Sequence, residues 1–396
     1  MAQASGKGRR AGILGAAVGV VAAGAAVGFT VERLTIGRAV RRMAAIHDPG
    51  EPFGTLRGDP RSVTADDGIE LYAEIDEPRG LGAAPAGAGA PGLVPQAGAS
   101  PAAEPAQRPT LLFTHGFCLP QDCWHYQRAE FSATHRMVFW DQRGHGRSDR
   151  PPRQGTGRKP VTIDQLGDDL YAVLEQTCPT GPVVLIGHSL GGMTMMALAR
   201  RHPELFGERI VGAALLSTSA GRFEDVVFGL PRPGAKLLHR TTPTLLDLLA
   251  RQAGLVERGR ALGGDLALVL TRRYAFGSEV PESVVRFTQE LIQSVPIDVI
   301  ADFYPVFGKL DLSAAVPVFD RVPCLVLAGA HDLMLPVAHS EALADAIPSA
   351  DYVVLPGAGH AVVLEQPDAV GEALRTLVER VEAQLGSPSS GRRAAQ

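Results

Sequence analysis

The stretch that decides the fold reads Val183-Val184-Leu185-Ile186, then Gly187-His188-Ser189-Leu190-Gly191, then a helix-like run over 193–201. An apolar run followed by Gly-x-Ser-x-Gly and a helix is the pattern of a strand that turns sharply into a helix. Such a turn lifts one side chain, here Ser189, clear of the backbone. The outer glycines fit because a side chain at either position would meet the neighbouring strand or helix. The helix that follows points its N-terminus at the serine, and its dipole favours negative charge developing there. The pentapeptide alone occurs by chance in many chains. Its meaning rests on the strand before it, the helix after it and the partners further along.

Working outward, short apolar runs recur at 110–114, 137–140, 211–217, 324–328 and 352–355. Such runs suit strands buried on both faces of a parallel sheet. Helix-like stretches, clearest at 161–175 and 368–384, separate most of them. A hairpin precedes them: 61–65, a turn at Asp66-Asp67-Gly68, then alternating Ile69, Leu71, Ala73 and Ile75. The alternation predicts an α/β fold, a mostly parallel open sheet flanked by helices. One interval, 221–316, carries no strand-like run. There Leu245, Leu246, Leu248 and Leu249 fit one helix face, and Val284, Phe287, Leu291 and Val295 fit another. We read it as a helical lid packed over the carboxyl ends of the strands, where open α/β sheets bind ligands. The expected core is then in two parts, 61–220 and 317–385.

The ends and one internal segment differ in composition. Residues 11–31 carry no charge and lie between Lys7, Arg9 and Arg10 and the arginines at 33, 38, 41 and 42. As a helix rising about 1.5 Å per residue, that run just reaches across a hydrocarbon core. Segment 1–42 is therefore expected to be a membrane anchor. A cleaved signal, with Ala23-Gly24-Ala25 as a poor cleavage site, is the alternative and would make the protein secreted. The Ala, Gly and Pro of 78–109 cannot bury enough apolar surface to fold, so a disordered insertion is expected within the core. A disordered tail is expected at 386–396.

A net charge of −4 over 396 residues provides no electrostatic ground for nucleic-acid binding. The four cysteines, Cys118, Cys123, Cys178 and Cys324, match no zinc or C-x-x-C spacing. Cys324 reads as a small core residue. Cys118 and Cys123 share a loop and could pair in an oxidising compartment if their geometry allows. No dinucleotide fingerprint follows the first parallel strand and no cluster has metal-ligand spacing, so neither cofactor nor metal is expected.

A serine hydroxyl is a weak nucleophile near neutral pH. It needs a base, a group to orient that base, and donors for the oxyanion. His360 is the candidate base, in the turn after the run at 352–355, where Pro356-Gly357-Ala358-Gly359 leave room for an imidazole. Asp332 is the candidate orienting acid, after the run at 324–328; a helix cap near Val337 is its bland alternative. The competing position after 211–217 reads Ser217-Thr218-Ser219 and holds no carboxylate. The oxyanion donors should be the backbone N–H groups of Leu190 and of Phe117, with Cys118 second to Phe117. His188 should point away from the reacting serine, and His115 and His145 should make local hydrogen bonds.

These motifs together resemble the α/β-hydrolase fold, in its lidded, single-domain form. The resemblance covers about 61–385. It is carried by His115-Gly116-Phe117, by Asp141-Gln142-Arg143-Gly144-His145-Gly146-Arg147-Ser148, by the turn at Ser189, by Gly329-Ala330-His331-Asp332 and by Gly357-Ala358-Gly359-His360. In that family the turn at 141–148 is mainly architectural. The first loop departs from the His-Gly-Gly-Gly of one lipase and esterase branch. A serine at the elbow departs from the epoxide hydrolases and haloalkane dehalogenases, which use aspartate. The resemblance implies a serine hydrolase working through an acyl-enzyme, with Ser189, His360 and Asp332 as its triad and no cofactor. An ester with apolar groups is the expected small-molecule substrate. Amide, thioester, lactone and carbon–carbon bonds stay open, as does a binding module without catalysis.

Overall fold

A computed structural model describes residues 52–78, 108–150, 160–223, 226, 228–229, 231–254, 256, 264–308 and 310–387. The expectations for 11–31 and for nearly all of 1–42, 78–109 and 386–396 lie outside those residues. In chain order the elements are β1 (Asp59–Thr64), β2 (Glu70–Asp76), β3 (Thr110–Thr114), α1 (His125–Phe131), β4 (Met137–Trp140), α2 (Ile163–Thr177), β5 (Val183–His188), α3 (Leu190–Arg201) and β6 (Ile210–Leu216). Then come α4 (Arg232–Arg251), α5 (Gly264–Ala275), α6 (Glu282–Ser294), α7 (Ile297–Gly308), β7 (Cys324–Gly329), α8 (Ala338–Ala346), β8 (Asp351–Leu355), α9 (Val362–Glu365) and α10 (Pro367–Gly386).

The eight strands form one sheet in the order β1-β2-β4-β3-β5-β6-β7-β8. β1 and β2 pair antiparallel, as do β2 and β4, and the remaining pairs are parallel. The hairpin turn closes where the Gly68 N–H donates to the Ala65 carbonyl, with Gly68 at φ 81°. Helices cover both faces, which explains the unbroken apolar runs. Along β5, Val183 and Leu185 pack with Leu166 and Leu170 of α2 and Met195 of α3. Val184 and Ile186 pack with Phe131 of α1 and Leu374 and Val378 of α10. Helix α2 starts two residues later than its apolar pattern because Thr162 caps it, its hydroxyl accepting from the Gln165 N–H.

Two expectations about burial are corrected. The run at 352–355 is an edge strand, β8, with Tyr352 and Val354 exposed rather than buried on both faces. The four leucines of α4 do not share one face. Consecutive helical residues lie about 100° apart, so these four spread over about 160°. Leu246 and Leu249 are half-buried, whereas Leu245 and Leu248 face solvent. By contrast, Val284, Phe287, Leu291 and Val295 are all buried. Helices α4 to α7 occupy the interval between β6 and β7, and a bridge between Gly221 and Asp311 draws its two ends together. All four cysteines are buried, and Cys118 and Cys123 form no disulfide with each other. No helix among the described residues is long and apolar enough to cross a membrane.

The turn between β5 and α3 is packed against the start of the β3 loop. A Cβ added to Gly191 would overlap the Thr114 carbonyl oxygen and crowd that of His115. Gly191→Ala is therefore expected to cost about 1–3 kcal/mol or more through forced backbone shifts. Urea unfolding of the variant measures this, and an unchanged midpoint would contradict the close packing.

Candidate active site

Each of the three candidate side chains sits at the carboxyl end of a parallel strand. Ser189 follows β5, Asp332 follows β7 and His360 follows β8. The chain crosses Ser189 with φ 52° and ψ −117°, a conformation rare for a residue with a side chain. The Ser189 hydroxyl donates to His360 Nε2 at 3.0 Å, and His360 Nδ1–H donates to Asp332 Oδ2 at 2.7 Å. The ring orientation follows from the carboxylate, which can only accept. The other oxygen of Asp332 accepts from the N–H groups of Met334 and Leu335, both at 2.8 Å. Asp332 does not cap α8; the residue before that helix is Val337, with no side-chain cap. The structure thus brings together the three side chains expected from the sequence.

The loop after β3 passes beside them. The Cys118 N–H donates to His145 Nε2 at 3.2 Å, so of the two amides expected as oxyanion donors there, that of Cys118 is engaged and that of Phe117 remains the candidate. The Leu190 N–H stands at the first position of α3, beside Ser189. His115 and His145 make the local bonds expected of them. His115 Nδ1–H donates to the Gly116 carbonyl, and its Nε2 accepts from the Gln142 N–H at 2.8 Å. Burial pushes His115 well below the usual histidine range and His145 down to about 4. Both rings are neutral at pH 7. In the turn at 141–148, Asp141 accepts from the N–H groups of Gln121 and Arg147, and Ser148 donates to the Asp141 carbonyl.

Two contacts of the His360 turn escaped the sequence reading, one made by His188 and one by Glu365. His188, in the elbow, turns toward His360: its Nε2–H donates to the His360 carbonyl at 2.9 Å. Burial holds that ring at about 3, so it stays neutral. Glu365 lies under the same loop. One oxygen accepts from the Gly359 N–H at 2.6 Å, and the other from the Ser278 hydroxyl at 2.6 Å and the Gly277 N–H at 3.0 Å. This carboxylate therefore joins the His360 turn to the link between α5 and α6. Gly277 and Gly359 allow the two backbones to meet, since a Cβ on either would strike the other segment. No local signal marks Glu365, whose partner at Ser278 lies far away in the chain.

Over these side chains lies a cavity of about 930 Å³. Ser189, His360 and Phe117 form its floor; Phe223, Phe228, Leu270, Tyr274, Ile292 and Phe307 are among the walls given by the insertion. No Asp, Glu, Lys or Arg among the described residues lines it. Nor do three or more His, Cys, Asp or Glu side chains gather anywhere among the described residues in a way that could hold a metal.

Two outcomes follow from the buried polar groups. Glu365→Gln places an amide donor against backbone donors and is expected to cost about 1–3 kcal/mol; a variant as stable as the parent in urea would show that the link is not needed. His145 takes up its proton at about pH 6.5 when unfolded but only at about 4 when folded. Its contribution to stability is full above the higher value and declines by up to ~1.4 kcal/mol per pH unit as pH falls toward the lower one. The stability gap between the parent and His145→Gln should therefore narrow across that window. A gap independent of pH would overturn the assignment of His145 as a buried neutral ring.

Comparison with known proteins bears on the fold. Residues 109–367 match the family model described as alpha/beta hydrolase fold. The chain is 27% identical over 279 residues to 3-oxoadipate enol-lactonase 2 of Acinetobacter baylyi, covering 69% of this chain and 90% of that protein. Among solved structures it is similar to a thermophilic esterase from Thermogutta terrifontis, with TM-score 0.59 and 23% identity over 82% of this chain and 99% of that one. The enol-lactonase from Burkholderia xenovorans LB400 aligns with TM-score 0.58 and 24% identity, over 81% of this chain and 100% of that one. At such identities the solved structures speak for the fold. With the family model spanning most of the sheet and the whole insertion, the chain belongs to the alpha/beta hydrolase fold family.

Proposed function

We propose that the protein is a serine hydrolase that cleaves carboxylic esters bearing apolar groups. One observation carries this reading: the hydrogen-bonded series Ser189–His360–Asp332 opens onto a large cavity that, among the described residues, no charged Asp, Glu, Lys or Arg side chain lines. In the proposed reaction the Ser189 oxygen attacks the ester carbonyl while His360 Nε2 takes the hydroxyl proton. Asp332 holds the ring and stabilises the imidazolium. The N–H groups of Phe117 and Leu190 stabilise the oxyanion. The tetrahedral adduct then expels the alcohol, which receives its proton from His360. Water, deprotonated by His360, attacks the acyl-enzyme and releases the acid.

The cavity argues about substrate. Its volume is at the upper end for a small-molecule site and exceeds what a short ester fills. An anionic substrate such as a 3-oxoadipate derivative would lose hydration there without gaining a Lys or Arg partner among the described lining residues. This supports a neutral ester with a sizeable hydrocarbon part over the substrate class named for the enol-lactonase relative. The insertion, which provides most of the cavity's walls, would act as a lid over the bound ester.

Hydrolysis of p-nitrophenyl esters of increasing acyl length tests the proposal. Ser189→Ala is expected to lower turnover at least ~1000-fold, and parent kcat/KM is expected to rise from acetate to medium chains. Parent activity equal to that of Ser189→Ala at every length would refute the serine ester chemistry. Activity confined to acetate would refute the apolar substrate.

A further inference from the structure

We propose that the outward face of α4 and α5 docks on an anionic lipid surface and turns the cavity mouth toward it. The chemistry proposed above is assumed only in naming that mouth as the substrate's entrance. The observation is an apolar face that the fold leaves in water. Leu237, Leu238, Leu245 and Leu248 of α4 are 63%, 39%, 52% and 56% exposed, and Leu266 and Leu270 of α5 are 49% and 48% exposed. Counted at 3.6 residues per turn, the four leucines of α4 fall within an arc of about 100°. They are a stripe rather than scattered residues. The buried side of the same helix carries Ala235, Leu246, Leu249 and Ala250 instead.

Charge identifies what covers the stripe. The arc beside it carries Lys236, Arg240 and Arg251, with Arg232 at the helix start. The only acidic residue of α4, Asp247, is paired with Arg251. Thus a strongly basic helix stands out on a chain whose net charge is −4. Exposed leucines flanked by lysine and arginine are the arrangement of helices that lie in the headgroup layer of anionic membranes. A second copy docking through the same face would set these cations against each other, which disfavours a symmetric dimer.

The stripe is also continuous with the cavity. Leu266 and Leu270 are exposed and at the same time line it, as do Pro243 and His239 of α4. A bilayer against this face would cover the mouth, so that an apolar ester could pass from lipid to Ser189 without crossing water. The base-flanked apolar segment 11–31 of the same chain would, if it also binds lipid, act as a second contact.

The test places an environment-sensitive fluorophore on the full chain at Leu248→Cys, with a reference label at the exposed Arg61→Cys; the native thiols are buried. Vesicles of phosphatidylglycerol mixed with phosphatidylcholine are compared with vesicles of phosphatidylcholine alone. The expected result is a blue shift and brighter emission at position 248 with the anionic vesicles only, and no change at position 61. Lys236→Glu with Arg240→Glu is expected to weaken that response about tenfold or more, with the folded circular dichroism spectrum retained. Binding of vesicles with no change at position 248 would assign membrane contact to another segment and overturn the proposal. A blue shift already present without lipid would overturn it too, in favour of a second copy if it grows with protein concentration and of the chain's own segment if it does not. None of these readouts involves turnover, so they are separate from the fate of the ester chemistry.

Discussion

At Ser189 the backbone leaves β5 and enters α3 in a conformation that side chains rarely adopt, with φ 52°. Such a conformation persists only when its surroundings over-determine it. Here the Ser189 N–H donates to the Leu216 carbonyl at 2.9 Å, and the Ser189 carbonyl accepts from the Thr218 hydroxyl and the Gly192 N–H. The sheet holds one side of the turn through β6 and the helix holds the other. Positions 187 and 191 lack side chains where a Cβ would collide with backbone. The rest of the site is built around that point. The β3 loop passes the serine closely enough that a Cβ on Gly116 would lie 2.7 Å from His188 Nδ1.

The polar groups beneath the site belong to one connected set. His115, His145, Gln142 and Asp141 bind the first loop to the turn after β4, and the His145 ring also meets the Phe117 ring edge-on, so the Phe117 amide is placed by groups packed beneath the cavity floor. Neutral imidazoles suit this role because each provides one donor and one acceptor in fixed directions. The desolvation that depresses their proton affinity also keeps them in that form at neutral pH. His188 and Glu365 do the corresponding work for the His360 turn, one from the elbow and one from α9, which ties that turn to the insertion.

The insertion has two apolar faces with different fates. Its inner side closes the cavity, with Phe223, Phe307 and Tyr274 over Ser189 and His360. Its outer side carries the leucines of α4 and α5. A helix that is apolar on more than one side departs from the single stripe expected of a surface helix of a globular protein. That departure is where a purely structural account of α4 ends and the lipid-docking proposal begins.

Much of this was legible in the sequence because the signals are local. Runs of four to seven apolar residues mark strands covered on both faces, and the strand–turn–helix at Ser189 places one hydroxyl. The small residues before His360 and Asp332 then mark two further strand ends. The chemistry of the side chains did the remainder, since a serine needs a base and the base needs an acid. Tertiary structure alone decided which leucines of α4 met α7 and which met water, because a wide apolar arc does not say which part of it finds a neighbour. It also decided the roles of Glu365 and His188. Ser278 lies 87 residues from Glu365, and His188 reaches a carbonyl 172 residues away. Hydrogen bonds of that kind depend on where the packed elements bring two distant turns, and no periodicity or spacing along the chain carries that information.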